Sequence, residues 1–143
     1  MVLSREQTVA YGIDLMLTSR DHRQWYIGDL DTYLLLPINN NRIRIYLKGT
    51  EPVGLITWCW MYPKDALSFL QDEYHPSDED FRDDDIVDKE FWILDMIGLS
   101  PCSPKYIINN LSSELTEIYG PIDANWRRLK ARDKRRTKRF NND

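Results

Sequence analysis

The apolar run FWILDMIGL, residues 91–99, restricts the fold more than any other stretch of the chain. Its length and its aromatic and branched side chains are typical of a strand in the centre of a sheet. Asp95 lies in the middle of this run. A carboxylate in a central strand has to be paired, hydrogen-bonded or protonated, because an isolated buried charge is costly. Asp95 is therefore a candidate functional residue, unless it lies on an exposed sheet face or caps a neighbouring loop.

Helix and strand signals follow one another along the chain. The predicted helices cover residues 4–18, 63–74 and 104–119, with a capping-box pattern or an early proline at each start. Runs of apolar or alternating residues, separated by turns containing Asn or Gly, predict an antiparallel meander. Its three strands cover residues 33–37, 42–48 and 53–61. The last helix is expected to bury Ile107, Leu111, Leu115 and Ile118. Together these elements predict an α+β sheet covered by helices.

Charge is distributed unevenly along the sequence. The chain contains 19 basic and 23 acidic residues, and residues 126–139 hold nine of the basic ones but only one acid. Residues 72–90 hold ten acids, which predicts an exposed loop. We refer to residues 126–140 as the basic C-terminal segment, which can form a helix or, as we favour, a hairpin of two strands around residues 131–134. A basic end on an acidic body indicates a negatively charged partner, either nucleic acid, a membrane surface or an acidic protein.

Length and motifs exclude several classes of protein. A chain of 143 residues is long enough for one core, so we expect a single domain over residues 1–143. Neither a signal peptide nor a transmembrane run is recognisable, which predicts a cytoplasmic protein. Cys59 and Cys102 lie in contexts that suggest free thiols rather than a disulfide or a zinc site. The acidic stretch lacks the EF-hand pattern, and no nucleotide-binding or hydrolase motif occurs, so we expect no metal site.

His22 is one of only two histidines and lies in the polar connection SRDHR, residues 19–23. It is either a solvated loop residue or a functional group held against Asp95, since a carboxylate on one ring nitrogen fixes the tautomer of imidazole. Cys102 is a weaker alternative as a thiol nucleophile. His75, at the edge of the acidic stretch, is expected to have no role.

Four short stretches, SRDHRQW, LLLPI, EPVGLITWCWM and FWILDMIGL, occur in this order along the chain. In their order and separations the sequence resembles the toxin-activating lysine acyltransferases, which are encoded beside RTX toxins, over about residues 9–140. The resemblance implies an α+β fold like that of the GCN5-related N-acetyltransferases, with a mixed sheet flanked by helices. GLSPCSPKY stands where a coenzyme A enzyme of this fold would have a glycine-rich pyrophosphate loop.

The family resemblance also implies a reaction. It is the transfer of a fatty acyl group from acyl-acyl carrier protein to internal lysines of an RTX-type protoxin, with no permanently bound cofactor. The phosphopantetheine thioester of the carrier protein is then a co-substrate. The family's catalytic histidine and aspartate fall on His22 and Asp95, and a further serine falls on Ser19. We expect His22 to act as general base oriented by Asp95, while a covalent route through His22 stays open. The Trp58 to Trp60 strand is expected to help line an acyl groove.

Acyl carrier proteins are acidic, so the basic C-terminal segment is a candidate docking surface. The candidate docking residues are Arg127, Arg128, Lys130, Arg132, Lys134, Arg135 and Arg136. We also consider a homodimer and do not expect nucleic acid as a partner. The alternative hypothesis is a non-catalytic module that binds nucleic acid through this segment. It leaves Asp95 unexplained.

Overall fold

One mixed β-sheet forms the centre of the structure, a computed structural model that describes residues 2–82, 85–128 and 131–141. Its strands are β1 (Ile43–Lys48), β2 (Glu51–Met61), β3 (Glu90–Gly98), β4 (Ile122–Arg128) and β5 (Ala131–Phe140). They lie in the order β1-β2-β3-β4-β5, and all neighbours are antiparallel except β3 and β4, which are parallel. The predicted α+β class is confirmed, and the mixed sheet is consistent with a fold like that of the GCN5-related N-acetyltransferases.

Helices cover both faces of this sheet. They are α1 (Arg5–Thr18), α2 (Ile27–Leu30), α3 (Leu36–Asn39), α4 (Pro63–Leu70) and α5 (Pro104–Tyr119). The capping box of α1 is formed as predicted, since the Ser4 hydroxyl accepts from the Gln7 amide at 3.1 Å and the Gln7 side chain accepts from the Ser4 amide at 2.8 Å. The Ser103 hydroxyl caps α5 by accepting from the Tyr106 amide.

The predicted strand over residues 33–37 is wrong. These residues lie in a continuous helical segment, residues 27–39, in which a π-helical turn (Asp31–Leu35) joins α2 to α3. Leu34 and Pro37 are both buried although they are three residues apart, which is helical spacing rather than alternation. A short apolar run fits a buried helix as well as a buried strand. The predicted three-stranded meander is therefore a two-stranded hairpin, β1-β2, followed by β3.

Alternate residues of the strands contact different layers. On one side of the sheet α5 buries the largest cluster, which includes Ile56, Trp58, Trp60, Phe91, Ile93, Ile107 and Leu111. On the other side α1, the helical segment and α4 cover two further clusters, which include Leu15, Leu34, Leu55, Cys59, Phe69 and Trp92. Trp58 and Trp60 are buried in the α5 cluster, and Trp60 also lines an open cavity of about 390 Å³ beside Glu90 and Phe91. The acyl groove at this strand stays a prediction.

Three smaller predictions also need correction. Helix α4 ends at Leu70 rather than at residue 74, and Ile118 in α5 is exposed rather than inward. The acidic stretch is not wholly exposed, because a 3-10 turn (Asp78–Phe81) buries both Asp80 and Phe81. The Asp80 carboxylate accepts from the Ser77 amide at 2.9 Å and from the Tyr74 hydroxyl, which explains how an acid is tolerated there.

The basic C-terminal segment covers the end of β4 and the whole of β5, which form an antiparallel pair, as the favoured hairpin interpretation predicts. The predicted turn over residues 131–134 is wrong, because these residues belong to β5. Strand β4 meets the rest of the sheet through only two paired positions of β3, Phe91 with Ala124 and Trp92 with Asn125. The Asn125 side chain reinforces this short junction by donating to the Phe91 carbonyl at 3.0 Å.

Candidate functional site

Ser19 and His22 are brought together where α1 ends. Ser19 is the C-cap residue of α1, and its carbonyl accepts from the Arg23 amide at 3.1 Å, which folds the chain back at once. His22 begins a single 3-10 turn (His22–Gln24) that follows. In this turn the Ser19 Oγ lies 2.5 Å from the His22 Nδ1. The charged connection thus holds the imidazole in one orientation rather than leaving it solvated.

The other nitrogen of His22 meets Asp95. The His22 Nε2 lies 2.8 Å from the Asp95 Oδ1, and the two side chains are only 12% and 11% exposed. An ionised carboxylate can only accept, so the Nε2–H donates to Asp95 and the neutral ring keeps its lone pair on Nδ1. The Ser19 hydroxyl is then the donor to Nδ1. The predicted contact between His22 and Asp95 is present, and Asp95 is neither exposed nor a loop cap.

A β-bulge turns Asp95 toward His22. Thr57 pairs with Asp95, but the next residue, Trp58, pairs with Ile93, so Leu94 is an extra residue in β3. Strict alternation from Ile93 would place Asp95 on the α5 side of the sheet. The extra residue moves it to the opposite side, which α1 and the helical segment cover. The site therefore depends on an irregularity of the ladder.

Aromatic rings continue the site outward from His22. The Trp25 ring lies 4.6 Å from the His22 ring and 5.4 Å from the Tyr33 ring, measured between centroids. Tyr33 in turn contacts His75, with a hydroxyl-to-Nδ1 distance of 2.8 Å. Burial raises the pKa of Tyr33, and the charges of Asp95 and Asp29 add to this while Arg127 opposes it. Tyr33 is thus protonated at neutral pH, and its hydroxyl is hydrogen-bonded to His75.

The contact between Tyr33 and His75 was not predicted from the sequence, which gave His75 no role. The two residues are 42 positions apart, and Tyr33 lies in a segment predicted as a strand. A correct helical assignment for residues 27–39 would not have placed Tyr33 near His75, because their contact is long-range.

Comparison with known families decides the class of protein. The sequence model of the RTX toxin acyltransferase family matches residues 7–140. The chain belongs to this family. No curated protein matches the chain. The match confirms the resemblance carried by the four motifs, and an RTX toxin acyltransferase of this kind is a toxin-activating enzyme.

The basic C-terminal segment of this RTX toxin acyltransferase is only partly free for docking. The Arg127 side chain is 10% exposed, lies 3.9 Å above the Phe69 ring, and donates to the Asp72 carboxylate and to the Phe69 carbonyl. Arg135 is paired with Glu90 at 3.0 Å and lies over the Trp92 ring. The candidate residues whose side chains are exposed are Arg128, Arg132, Lys134 and Arg136. Lys130 lies outside the described residues.

Other chemistry is weakly represented. Both cysteines of this RTX toxin acyltransferase are buried free thiols, and burial raises the pKa of each. Cys102 belongs to the α5 cluster, away from the face that holds Asp95, so it does not join His22 as a nucleophile. Within the described ranges no group of three or more potential metal ligands is found. In the same ranges no helix has the length and apolar character needed to cross a bilayer.

Proposed function

We propose that this enzyme transfers a fatty acyl group from acyl-acyl carrier protein to lysine side chains of an RTX-type protoxin. Family membership supports acyl transfer to a toxin. The observation that carries the proposal is the hydrogen-bonded series Ser19–His22–Asp95, because it leaves one imidazole nitrogen with a lone pair and orients it through the other. These three residues are the proposed catalytic group.

The acceptor lysine must be neutral to attack. At pH 7 removing a proton from an ordinary lysine costs about 4.6 kcal/mol, so a base and a partly desolvated site are both needed. His22 Nδ1 is the proposed base. Because Ser19 Oγ lies directly on Nδ1, the proton passes through the Ser19 hydroxyl, which accepts it from the lysine as it gives its own to His22. Asp95 stabilises the imidazolium that results.

The remaining steps balance without a permanently bound cofactor. The lysine nitrogen forms a bond to the thioester carbonyl carbon, and the carbon–sulfur bond then breaks. The phosphopantetheine sulfur leaves as a thiolate and takes the proton held by His22, while the second proton that the attacking nitrogen loses on becoming an amide passes to solvent. The products are an amide on the acceptor and free acyl carrier protein, and the base is regenerated.

The exposed cations of the β4-β5 hairpin are the proposed docking surface for the carrier protein. Arg127 and Arg135 are each paired with an acid. Within the described residues no acidic partner is found for the four exposed cations, Arg128, Arg132, Lys134 and Arg136. An acidic carrier protein would be steered to such a surface. Arg127 and Arg135 hold the hairpin in place through their ion pairs and are not free charges of this surface.

The first test is intact-mass spectrometry of an RTX protoxin fragment incubated with acyl-acyl carrier protein. The wild-type chain should add an acyl increment to lysines. His22→Ala should reduce the rate by about 1,000-fold or more, and Asp95→Asn nearly as much, because the base is then absent or wrongly oriented. Asp123→Asn, which removes an exposed carboxylate at the start of β4, is the matched control and should be active.

Two results would count against the proposal. Full activity of His22→Ala would remove His22 from the mechanism. No acyl increment with donors of several chain lengths, together with tight and salt-dependent binding of nucleic acid that survives His22→Ala, would favour the non-catalytic binding module.

A further inference from the structure

A row of aromatic rings extends outward from His22, and its members beyond His22 have no part in the reaction steps above. Centroid distances of 4.6, 5.4 and 6.0 Å link His22, Trp25, Tyr33 and His75 in that order. Exposure rises along the row: the His22 side chain is 12% exposed, Trp25 and Tyr33 are half-buried, and His75 is exposed. The row therefore runs from the candidate base to solvent on one side of the sheet.

The charges beside the row are mainly negative. Asp29 and Asp95 both act on the Tyr33 hydroxyl, and Asp31 in the same helical segment is exposed. Asp72 and Glu73, which directly precede Tyr74 and His75, are exposed as well. Arg127 acts on Tyr33 with the opposite sign and is held by Asp72, and Arg20 and Arg23 are exposed at the His22 end of the row. A positively charged ligand is thus favoured here, and an acidic carrier protein is not.

We propose that Trp25, Tyr33 and His75 form the binding surface for the acceptor lysine, an inference that rests on the proposed function. The alkyl chain packs along the Trp25 and Tyr33 rings with its ammonium group next to Ser19 and His22. The peptide that carries the lysine lies against His75. Aromatic faces attract an ammonium group within about 6 Å, and they equally accept the apolar chain that precedes it.

This assignment separates the two substrates by charge. The donor's acidic carrier docks on the basic β4-β5 hairpin, and the acceptor's cation approaches along the aromatic row among carboxylates. Each substrate is repelled from the other's surface, so the enzyme can hold both at once with the thioester and the amine meeting at His22.

The binding test uses a short Ala/Gly/Ser peptide with one central lysine and the same peptide with norleucine. Binding is followed by NMR on the full chain, without acyl donor. The lysine peptide should shift the Trp25 and His75 ring signals, and the norleucine peptide should bind at least threefold more weakly. Tyr33→Leu and His75→Leu should each weaken lysine-peptide binding about threefold to fivefold, whereas Tyr33→Phe, which keeps the ring, should stay within twofold.

Tyr106→Leu is the matched control for these variants. Tyr106 is an exposed tyrosine in edge contact with Tyr46 at 5.9 Å, much like Tyr33 with His75, but it belongs to α5 on the other side of the sheet. The Tyr106→Leu variant should bind the lysine peptide as tightly as the wild-type chain does. Equal binding of the lysine and norleucine peptides, or equal weakening by Tyr106→Leu, would overturn the assignment.

A kinetic measurement separates failure of this inference from failure of the proposed function. With a protoxin fragment as acceptor, His75→Leu should raise the KM for the acceptor about fivefold and leave the KM for acyl-acyl carrier protein unchanged. If wild type transfers the acyl group but His75→Leu raises only the donor KM or neither, the inference is wrong and the function stands. If wild type transfers nothing while the lysine peptide still binds at the row, the lysine site stands and the reaction is wrong.

Discussion

At the scale of single residues, Ser19 is the group whose role the structure changes most. The family resemblance implies only that a serine at this position matters for activity. In the structure the Ser19 hydroxyl lies against His22 Nδ1, the nitrogen that carries the lone pair of the neutral ring. Ser19→Ala should lower the acyl-transfer rate about 10-fold, much less than His22→Ala, because water or the lysine itself can reach Nδ1 once the hydroxyl is gone. The rate is measured with acyl-acyl carrier protein and a protoxin fragment at saturation.

Two substitutions make the Ser19 prediction specific. Ser19→Thr keeps the hydroxyl and should retain more activity than Ser19→Ala. Ser103→Ala removes a hydroxyl that only caps α5, so it should cost stability but little turnover of the folded enzyme. A loss with Ser19→Ala as complete as with His22→Ala would instead mean that Ser19 is indispensable to proton transfer.

Asp95 could be selected as a candidate from the sequence because it interrupts an apolar strand. His22 lies in a polar connection, where a histidine is unremarkable, and it became the leading candidate through the family resemblance. No local pattern marks His75 or the orientation of Asp95. The first depends on a contact across 42 residues, and the second on the extra residue Leu94 in the ladder. Both are properties of the assembled sheet, which a single sequence does not display.

At the scale of elements, tertiary contact decides the structure of residues 27–39. α1 packs closely against this segment at Gly12, where a Cβ atom would lie 2.7 Å from the Leu34 Cδ1. The helical turn buries both Leu34 and Pro37, which an extended strand would place on opposite faces. Elements with their own start signals, α1 and α5, were predicted correctly, whereas this segment has an apolar run without a distinctive period.

Arg127 joins two elements, since it ties β4 to the end of α4. Its guanidinium donates to the Phe69 carbonyl and to Asp72, and it packs on the Phe69 ring. Arg127→Met should lower the free energy of unfolding by about 2 kcal/mol, because hydrogen bonds to a largely buried charged group are lost. Urea unfolding monitored by tryptophan fluorescence measures the change at an unaltered m value.

Arg139→Met is the control for Arg127→Met. Arg139 is also paired with an acid, Asp123, but both side chains are more than half exposed, at 55% and 60%. An exposed pair contributes about 1 kcal/mol or less, so this variant should be close to wild type. Equal losses for the two variants would show that Arg127 does not anchor α4.

At the scale of the whole molecule, charge is sorted by strand order. The basic residues of β4 and β5 lie at one edge of the sheet, and the described acids of residues 72–82 and 85–88 come before β3, the central strand, in the chain. The sequence predicts this polarity and the hairpin that carries the positive charge, but not which cations are free. The sheet places Arg127 over Phe69 and Arg135 over Trp92, so these two cations stabilise the fold and are not free to bind a partner.

The free cations of the hairpin should therefore affect the KM for the acyl donor and not the KM for the acceptor. Arg132→Glu combined with Lys134→Glu should raise the KM for acyl-acyl carrier protein about 10-fold or more at low salt, and the difference from wild type should shrink as salt screens the charges. Steady-state kinetics at two salt concentrations measures this.

Lys48→Glu with Lys105→Glu changes the net charge equally at exposed sites outside the hairpin and should leave the donor KM nearly unchanged. If the two double variants raise the donor KM alike, overall charge governs the encounter and the hairpin is not the docking surface. If only the hairpin variant does so, the carrier protein binds at the edge of the sheet and delivers its thioester to His22, which lies against Asp95 of the inner strand β3.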